Sequence, residues 1–155
     1  MPCHCRLLSR RCERVSWEYW VMEETWLEEF QRLAVTRGPC RTAVDIGANV
    51  GDWSVWMAEH FDRVLAIEPD PRAFAMLLDR DLPENVVAAN MAVSTHSGTA
   101  ALCMRESPLQ SSLLASHPVG IAGQPDPPVV KTVEVPAFRL DEILEMNEGI
   151  DFVKM

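Results

Sequence analysis

Short apolar runs alternate with stretches of helical period along most of this chain. Within residues 15–35, Trp20, Leu27 and Phe30 fall on one stripe with Val21 and Ala34 beside it. Glu23, Glu24, Glu28 and Glu29 lie mostly on the other side. The spacing predicts an amphipathic helix packed on a sheet; a helix covering a ligand site or docking a partner carries the same pattern. Gly38-Pro39 ends it. Residues 42–46 then read as a strand, 52–60 as a helix with Trp53, Trp56, Met57 and His60 on one side, and 64–67 as a second strand. Asp70-Pro71 opens the next helix, since Asp70 can cap it and Pro71 stands where no N–H is needed. That helix carries Phe74, Leu77 and Leu78 and ends near Pro83. A third strand follows over 86–89.

This order predicts an α/β fold, a mostly parallel sheet with flanking helices and right-handed crossovers. The rhythm then changes. Residues 92–94, a turn at His96-Ser97-Gly98 and residues 99–104 read as a hairpin. Residues 105–128 hold Pro108, Pro118, Pro125, Pro127 and Pro128 and read as a long irregular loop, either a substrate lid or a mobile insertion. A strand over 129–135, a helix over 140–147 stopped at Gly149 and a strand over 150–153 complete the reading. In domain terms, 1–14 is a poorly ordered basic arm, 15–40 an N-terminal helix and 41–155 the α/β unit.

The segment Val44-Asp45-Ile46-Gly47-Ala48-Asn49-Val50-Gly51-Asp52 joins a strand to a helix through a glycine turn. Gly47 turns with no Cβ in the way, and Gly51 permits close packing of the new helix. Its spacing is D-x-G-x-x-x-G. A dinucleotide fingerprint has a glycine where this chain has Asn49, because a pyrophosphate needs bare backbone beside it. A cofactor without phosphates does not. S-adenosylmethionine is such a cofactor, and Asp45 at the strand end suits its positive charge. A nicotinamide-type oxidoreductase is disfavoured by the same Asn49.

Glu68 stands at the end of the second strand, 21 positions after Gly47. An acidic residue there accepts hydrogen bonds from ribose hydroxyls; as an alternative it is an ordinary exposed strand-end glutamate. Pro69 and Asp70 would line the adenosine. Asn90 and Met91, after the third strand, are placed to meet the adenine or equally to close the core. His60, on an apolar helix face, reads as structural. His96 and His117 flank the loop as weak candidates for a general base, and no catalytic residue is named.

The net charge of −9 argues against a nucleic-acid footprint, although Arg6, Arg10, Arg11 and Arg14 crowd the N-terminus. At 155 residues, 48% of them apolar, one packed domain is expected. No apolar run is long enough to span a membrane, and no apolar segment follows the N-terminal arginines to make a secretory signal. The cysteines, Cys3, Cys5, Cys12, Cys40 and Cys103, are odd in number and scattered, which fits a reducing cytoplasmic setting. Cys3-His4-Cys5 with Cys12 lacks ordinary zinc spacing, so no metal is expected.

The runs VDIGANVGDWS, AIEPDPRAF, NVVAANMAVSTHSGTAAL and VPAFRLDEILEMNEGIDFVKM together resemble the FkbM-type family of S-adenosylmethionine-dependent methyltransferases over about residues 41–155. The resemblance implies a Rossmann-like class I methyltransferase fold. It implies cofactor roles for Asp45, Gly47, Asn49, Gly51 and Glu68, with Ala48 inside the turn. It also implies methylation of a hydroxyl on a sugar or other small molecule. Ser111-Ser112-Leu113 resembles a serine-rich patch of the family. Two departures stand out. Arg139 replaces the Ser or Thr expected before Leu-Asp-Glu, where a hydroxyl would cap the helix. The family's Asp-x-Glu-Gly segment after Lys154 is not in this sequence, so the expectation is a partial sheet whose strand over 150–153 is an exposed edge open to self-association. The alternative expectation is a non-catalytic fragment or interaction module with at most weak cofactor binding.

Overall fold

The computed structural model describes residues 40–115, 127–147 and 149–155. The readings at 1–14 and 15–35, the Cys3-His4-Cys5 cluster with Cys12, and His117 lie outside the described residues. In chain order the elements are β1 (Thr42–Ile46), α1 (Asp52–Ala58), β2 (Arg63–Ile67), α2 (Pro71–Leu78), β3 (Val86–Ala89), β4 (Ala92–Ser94), β5 (Gly98–Met104), a 3₁₀ turn (Pro108–Gln110), β6 (Lys131–Arg139), α3 (Leu140–Met146) and β7 (Ile150–Lys154).

The main sheet has the order β3-β2-β1-β7. All its pairs are parallel, with Thr42 opposite Arg63, Val64 opposite Val86 and Asp45 opposite Lys154. The strands alternate between two apolar faces, as a sheet covered on both sides requires. On one face Ala43 and Val64 pack with Met57 of α1, Phe61 and Phe152. Farther along the same sheet, Ala66 packs with Ala48 and Leu77 of α2. The residues between them, Val44, Leu65 and Ile67, pack with Ile143 of α3. Met57, Leu77 and Ile143 are fully buried, and each contributes about 2 kcal/mol of apolar burial. Asp70 caps α2 as the sequence implies, its carboxylate accepting from the Arg72 N–H at 2.9 Å, with Pro71 at the first helical position.

The expected hairpin is not formed. β4 and β5 do not pair with each other; β6 lies between them, parallel to β4 and antiparallel to β5. β6 is also longer than the expected strand and runs through Pro136 to Arg139. Packing accounts for the pairing. Val135 and Ala137 of β6 share one buried cluster with Ala92 of β4 and with Leu102 and Met104 of β5, and the central place puts β6 against both. Pro136 removes a single ladder donor and does not stop the strand. Part of the stretch read as irregular is also ordered: Pro108–Gln110 forms the 3₁₀ turn, and Ser112 exchanges backbone hydrogen bonds with Cys103.

Candidate functional site

The main sheet runs from β1 through β2 to β3 in one direction and returns to β7 on the other side of β1. In open α/β sheets a ligand sits beyond the carboxyl ends of the strands at such a reversal. The glycine turn stands at that point. Gly47, Asn49 and Gly51 have φ of 73°, 50° and 89°. Asparagine is one of the few residues besides glycine that enter this left-handed region readily, which is why Asn49 can stand where another family of turns has glycine.

The two glycines serve different ends. A Cβ built on Gly47 meets nothing within 4 Å, so the turn faces open space there. A Cβ on Gly51 would come within 2.4 Å of Leu77 Cδ1, so Gly51 lets α1 and α2 close on each other. Gly47 and Ala48 both donate their N–H to the Ile67 carbonyl at 2.9 Å, folding the turn over the end of β2. Arg80 secures the far side through Val50 O at 2.9 Å and Asp52 Oδ1 at 2.6 Å.

Glu68 reaches back to this turn. Its Oε2 accepts from the Asn49 N–H and its Oε1 from the Asp70 N–H, each at 2.7 Å. A carboxylate has about four lone-pair sites, so each oxygen keeps one for a further donor. Burial pushes the Glu68 carboxyl above its ordinary range, and the two N–H groups only partly offset it.

Four of the expected cofactor residues have partners within the protein. Asp45 is fully buried on the α1 face rather than turned to a ligand. Its Oδ2 accepts from Ser54 Oγ at 2.7 Å, and its Oδ1 forms an ion pair with Lys154 Nζ at 3.0 Å that lacks hydrogen-bond alignment. Its charge is therefore already met inside the protein. Asp70 is also fully buried, held by Arg72 and by Ser111 Oγ at 2.7 Å. Asn90 spends its amide N–H groups on the carbonyls of Glu68 and Pro69, at 2.7 and 3.2 Å, and so ties down the strand end. Met91 packs on the Val44, Leu65 and Ile67 cluster and closes the core. Pro69 is half-buried beside Glu68. The turn residues Gly47, Ala48 and Asn49, together with Glu68, are the expected residues that converge.

Two contributors escaped the sequence reading. Lys154 donates to the carbonyls of Ile46 and Gly47 at 3.4 and 3.1 Å besides pairing with Asp45, so it holds the turn from the β7 side. A cation ending an apolar strand is the signal that could have found it. Arg72 is the other. It binds Asp70 through two side-chain nitrogens and reaches Arg105 O at 2.8 Å and Ser111 Oγ at 3.3 Å. These bonds outweigh the effect of burial and hold the Asp70 carboxyl below its ordinary range.

His60 and His96, the described histidines, do not join the site. His60 stacks on Trp56 and sets Nδ1 2.8 Å from the Trp56 carbonyl, a structural place. His96 is exposed, with Ser94 Oγ at 3.5 Å. The acceptor that a hydroxyl at Arg139 would supply comes from Asp141, whose Oδ1 accepts from the Glu142 N–H at 3.1 Å, while Ser97 Oγ and Glu142 accept from the Arg139 N–H at 3.3 and 3.4 Å. A shallow groove of about 420 Å³ beside β7 is lined by Leu144, Asn147, Ile150 and Phe152 and by none of the turn residues. Among the described residues the turn forms a ledge that is open at Gly47.

Residues 45–155 match the methyltransferase FkbM domain. The chain belongs to that family, a class of S-adenosylmethionine-dependent methyltransferases with a Rossmann-like fold. Among solved structures it is similar to methyltransferase FkbM from Methylobacillus flagellatus KT, with 16% identity, 80% of this chain and 28% of that chain covered, and a TM-score of 0.46. A Listeria monocytogenes protein assigned as an S-adenosylmethionine-dependent methyltransferase shares 16% identity over 48% of this chain and 37% of that one, with a TM-score of 0.37. The precorrin 8W decarboxylase of Methanobacterium thermoautotrophicum shares 26% identity over 40% and 37%, with a TM-score of 0.33. The chain thus spans little more than a third of the length of these solved proteins at most. No curated protein matches it. No helix among the described residues is long and apolar enough to cross a membrane.

Proposed function

We propose that this chain binds S-adenosylmethionine at the Gly47–Asn49 turn and Glu68 and serves methyl transfer to a hydroxyl of a sugar or other small molecule. The observation that carries the reading is the convergence of Glu68 on the Asn49 N–H at 2.7 Å, beside a glycine whose missing side chain leaves open space. The donor set fits the group. The open side of Gly47 gives room for its amino-acid portion, and the remaining lone pairs of Glu68 suit the ribose hydroxyls. When bound, the cofactor supplies an electrophilic methyl group. The protein's own part is to position and to keep the turn rigid, since alignment of reacting atoms removes much of a barrier. Lys154 serves that rigidity by fixing the carbonyls of Ile46 and Gly47. Asp45, neutralised by Lys154, serves as a support for the turn rather than as a ligand.

Calorimetric titration with S-adenosylhomocysteine tests the reading. Binding that is measurable for the chain as it stands and lost in Glu68→Ala supports it. No heat at millimolar ligand overturns it and favours the alternative of a non-catalytic chain.

A further inference from the structure

The segment after β5 is joined to the cofactor ledge by an unbroken series of hydrogen bonds, and one hydroxyl stands at the junction. Ser111 Oγ donates to Asp70 Oδ2 at 2.7 Å. The same oxygen lies 3.3 Å from two donors, the Arg105 N–H and Arg72 Nη2. Asp70 passes the contact on through its backbone, whose N–H donates to Glu68 Oε1 at 2.7 Å. The other oxygen of Glu68 holds the Asn49 N–H of the glycine turn. We propose that Ser111 is a positioning residue that sets Glu68 against the glycine turn through Asp70, and so couples the 105–115 segment to the cofactor ledge.

The physical case rests on burial and on the number of partners. Asp70 is wholly buried, and a buried carboxylate keeps its place only while its lone pairs are satisfied. Arg72 alone would still pair with it. Arg72, however, is more than a third exposed and also holds the carbonyls of Arg105 and Glu106 at 2.8 and 3.3 Å. Without the Ser111 hydroxyl, the Arg72 guanidinium draws the Asp70 carboxylate toward the solvent side against the single cap bond from the Arg72 N–H. The Asp70 N–H would then leave the Glu68 carboxylate, which keeps its bond from the Asn49 N–H. Arg105 anchors the segment to which Ser111 belongs. Its buried guanidinium donates to the carbonyls of Gln110 and Pro127 at 3.0 Å and of Ala115 at 3.3 Å. Any ligand that orders Glu68 therefore orders this segment, and by reciprocity anything that engages the segment changes affinity at the ledge.

The test uses the full chain, first without ligand. Backbone amide spectra of Ser111→Ala should show the Asn49 and Asp70 resonances moved upfield, because both lose strength in a charge-assisted bond to Glu68. The resonances of Val86–Ala89 should stay in place, and Ser111→Thr, which restores the hydroxyl, should return Asn49 and Asp70 to their original positions. A general loosening of the fold would move β3 as well and would not be rescued by threonine. Should Ser111→Ala fail to fold, Ser111→Cys keeps the volume with a weaker donor and carries the same readout. Unmoved Asn49 and Asp70 resonances in a folded variant overturn the proposal. As a second arm, which rests on the cofactor reading, S-adenosylhomocysteine should bind Ser111→Ala about fivefold to twentyfold more weakly. Equal affinity in the two proteins overturns the coupling. Absence of binding to the unaltered chain overturns the cofactor reading and leaves the amide shifts to decide the role of Ser111.

Discussion

Lys154 Nζ stands 3.0 Å from Asp45 Oδ1, across the register that sets the end of β7 beside the end of β1. The pair joins the two strands at the reversal of the sheet, below the glycine turn. Asp45 is fully buried, while the Lys154 side chain is 21% exposed. Removing the lysine alone leaves a buried carboxylate with only Ser54 to satisfy it. A fully buried pair broken in this way loses about 3–5 kcal/mol; partial exposure of Lys154 reduces this to about 2 kcal/mol. Lys154→Met should therefore lower the urea midpoint clearly. Asp45→Asn combined with Lys154→Met should recover more than half of that loss, because no charge is then stranded. A double variant as unstable as the single one would mean that the lysine acts through its carbonyl bonds to the turn instead.

The two glycines of the turn should respond differently to alanine. At Gly47 the left-handed φ of 73° is the whole penalty, since the space is empty; the expected loss is about 1 kcal/mol. At Gly51 the same kind of strain at φ 89° is joined by a contact of 2.4 Å with Leu77 Cδ1. Overpacking adds about 1–3 kcal/mol, so Gly51→Ala should be the more destabilising by at least that range's lower end. Gly47→Ala should instead weaken ligand binding, because its Cβ enters the open side of the ledge. Chemical denaturation and ligand titration of both variants separate the two effects. Equal stability losses at the two positions would contradict the assignment of Gly51 to helix packing.

How much of this was legible in the sequence depends on the range of the interaction. The parallel strands, the glycine turn, the Asp70 cap and Glu68 are set by local chemistry: an apolar run, a left-handed turn, a carboxylate before proline. The strand order within β4, β5 and β6 was not legible. It depends on how three strands share one apolar cluster, and Pro136 disguised the longest of them. The partners that Asp45 and Asp70 have within the protein were not legible, for one reason. An acidic residue at a strand end looks the same in sequence whether it faces a ligand or a cation of the protein, and Lys154 lies 109 positions from Asp45. The bond from the Arg139 N–H to Ser97 Oγ is hidden in the same way, by a partner 42 positions distant.

Glu68 and Asp70 should give stability profiles of opposite slope with pH. Burial raises the Glu68 carboxyl above the ordinary 4.5, so the folded protein holds that proton more tightly than the unfolded chain does. The resulting stabilisation is complete below about pH 4.5 and is lost as pH rises through the raised value. Glu68→Gln, which mimics the protonated side chain, should gain on the unaltered protein as pH climbs toward neutrality. Asp70 is held below its ordinary 3.8 by Arg72 and Ser111 in spite of burial. Its contribution is present above about 3.8 and disappears as pH falls through the lowered value. Asp70→Asn should therefore remove part of the acid-side decline. Unfolding free energies measured by urea at several pH values decide the matter, and parallel profiles for the two variants would contradict both shifts.

Arg105 should act as the fastener of the segment after β5 rather than as part of the main core. It is 1% exposed. Its guanidinium spans the carbonyls of Gln110, Ala115 and Pro127, which backbone bonding alone would not bring to one place. Lysine cannot reproduce that fork, since its ammonium is a compact point donor on a flexible stem. Arg105→Lys and Arg105→Met should both release the segment, and the methionine keeps the apolar volume so that packing is not the variable. Hydrogen bonds to a charged group are worth about 1.5–3 kcal/mol each in a buried setting, but the freed carbonyls regain water. The net loss in global stability should be about 2 kcal/mol. The local effect should be larger: limited proteolysis within 105–115 should accelerate severalfold more than the unfolding equilibrium accounts for, as expected where a segment opens on its own. Cleavage that tracks global unfolding alone would mean that the Cys103 and Ser112 backbone pair, not Arg105, holds the segment closed.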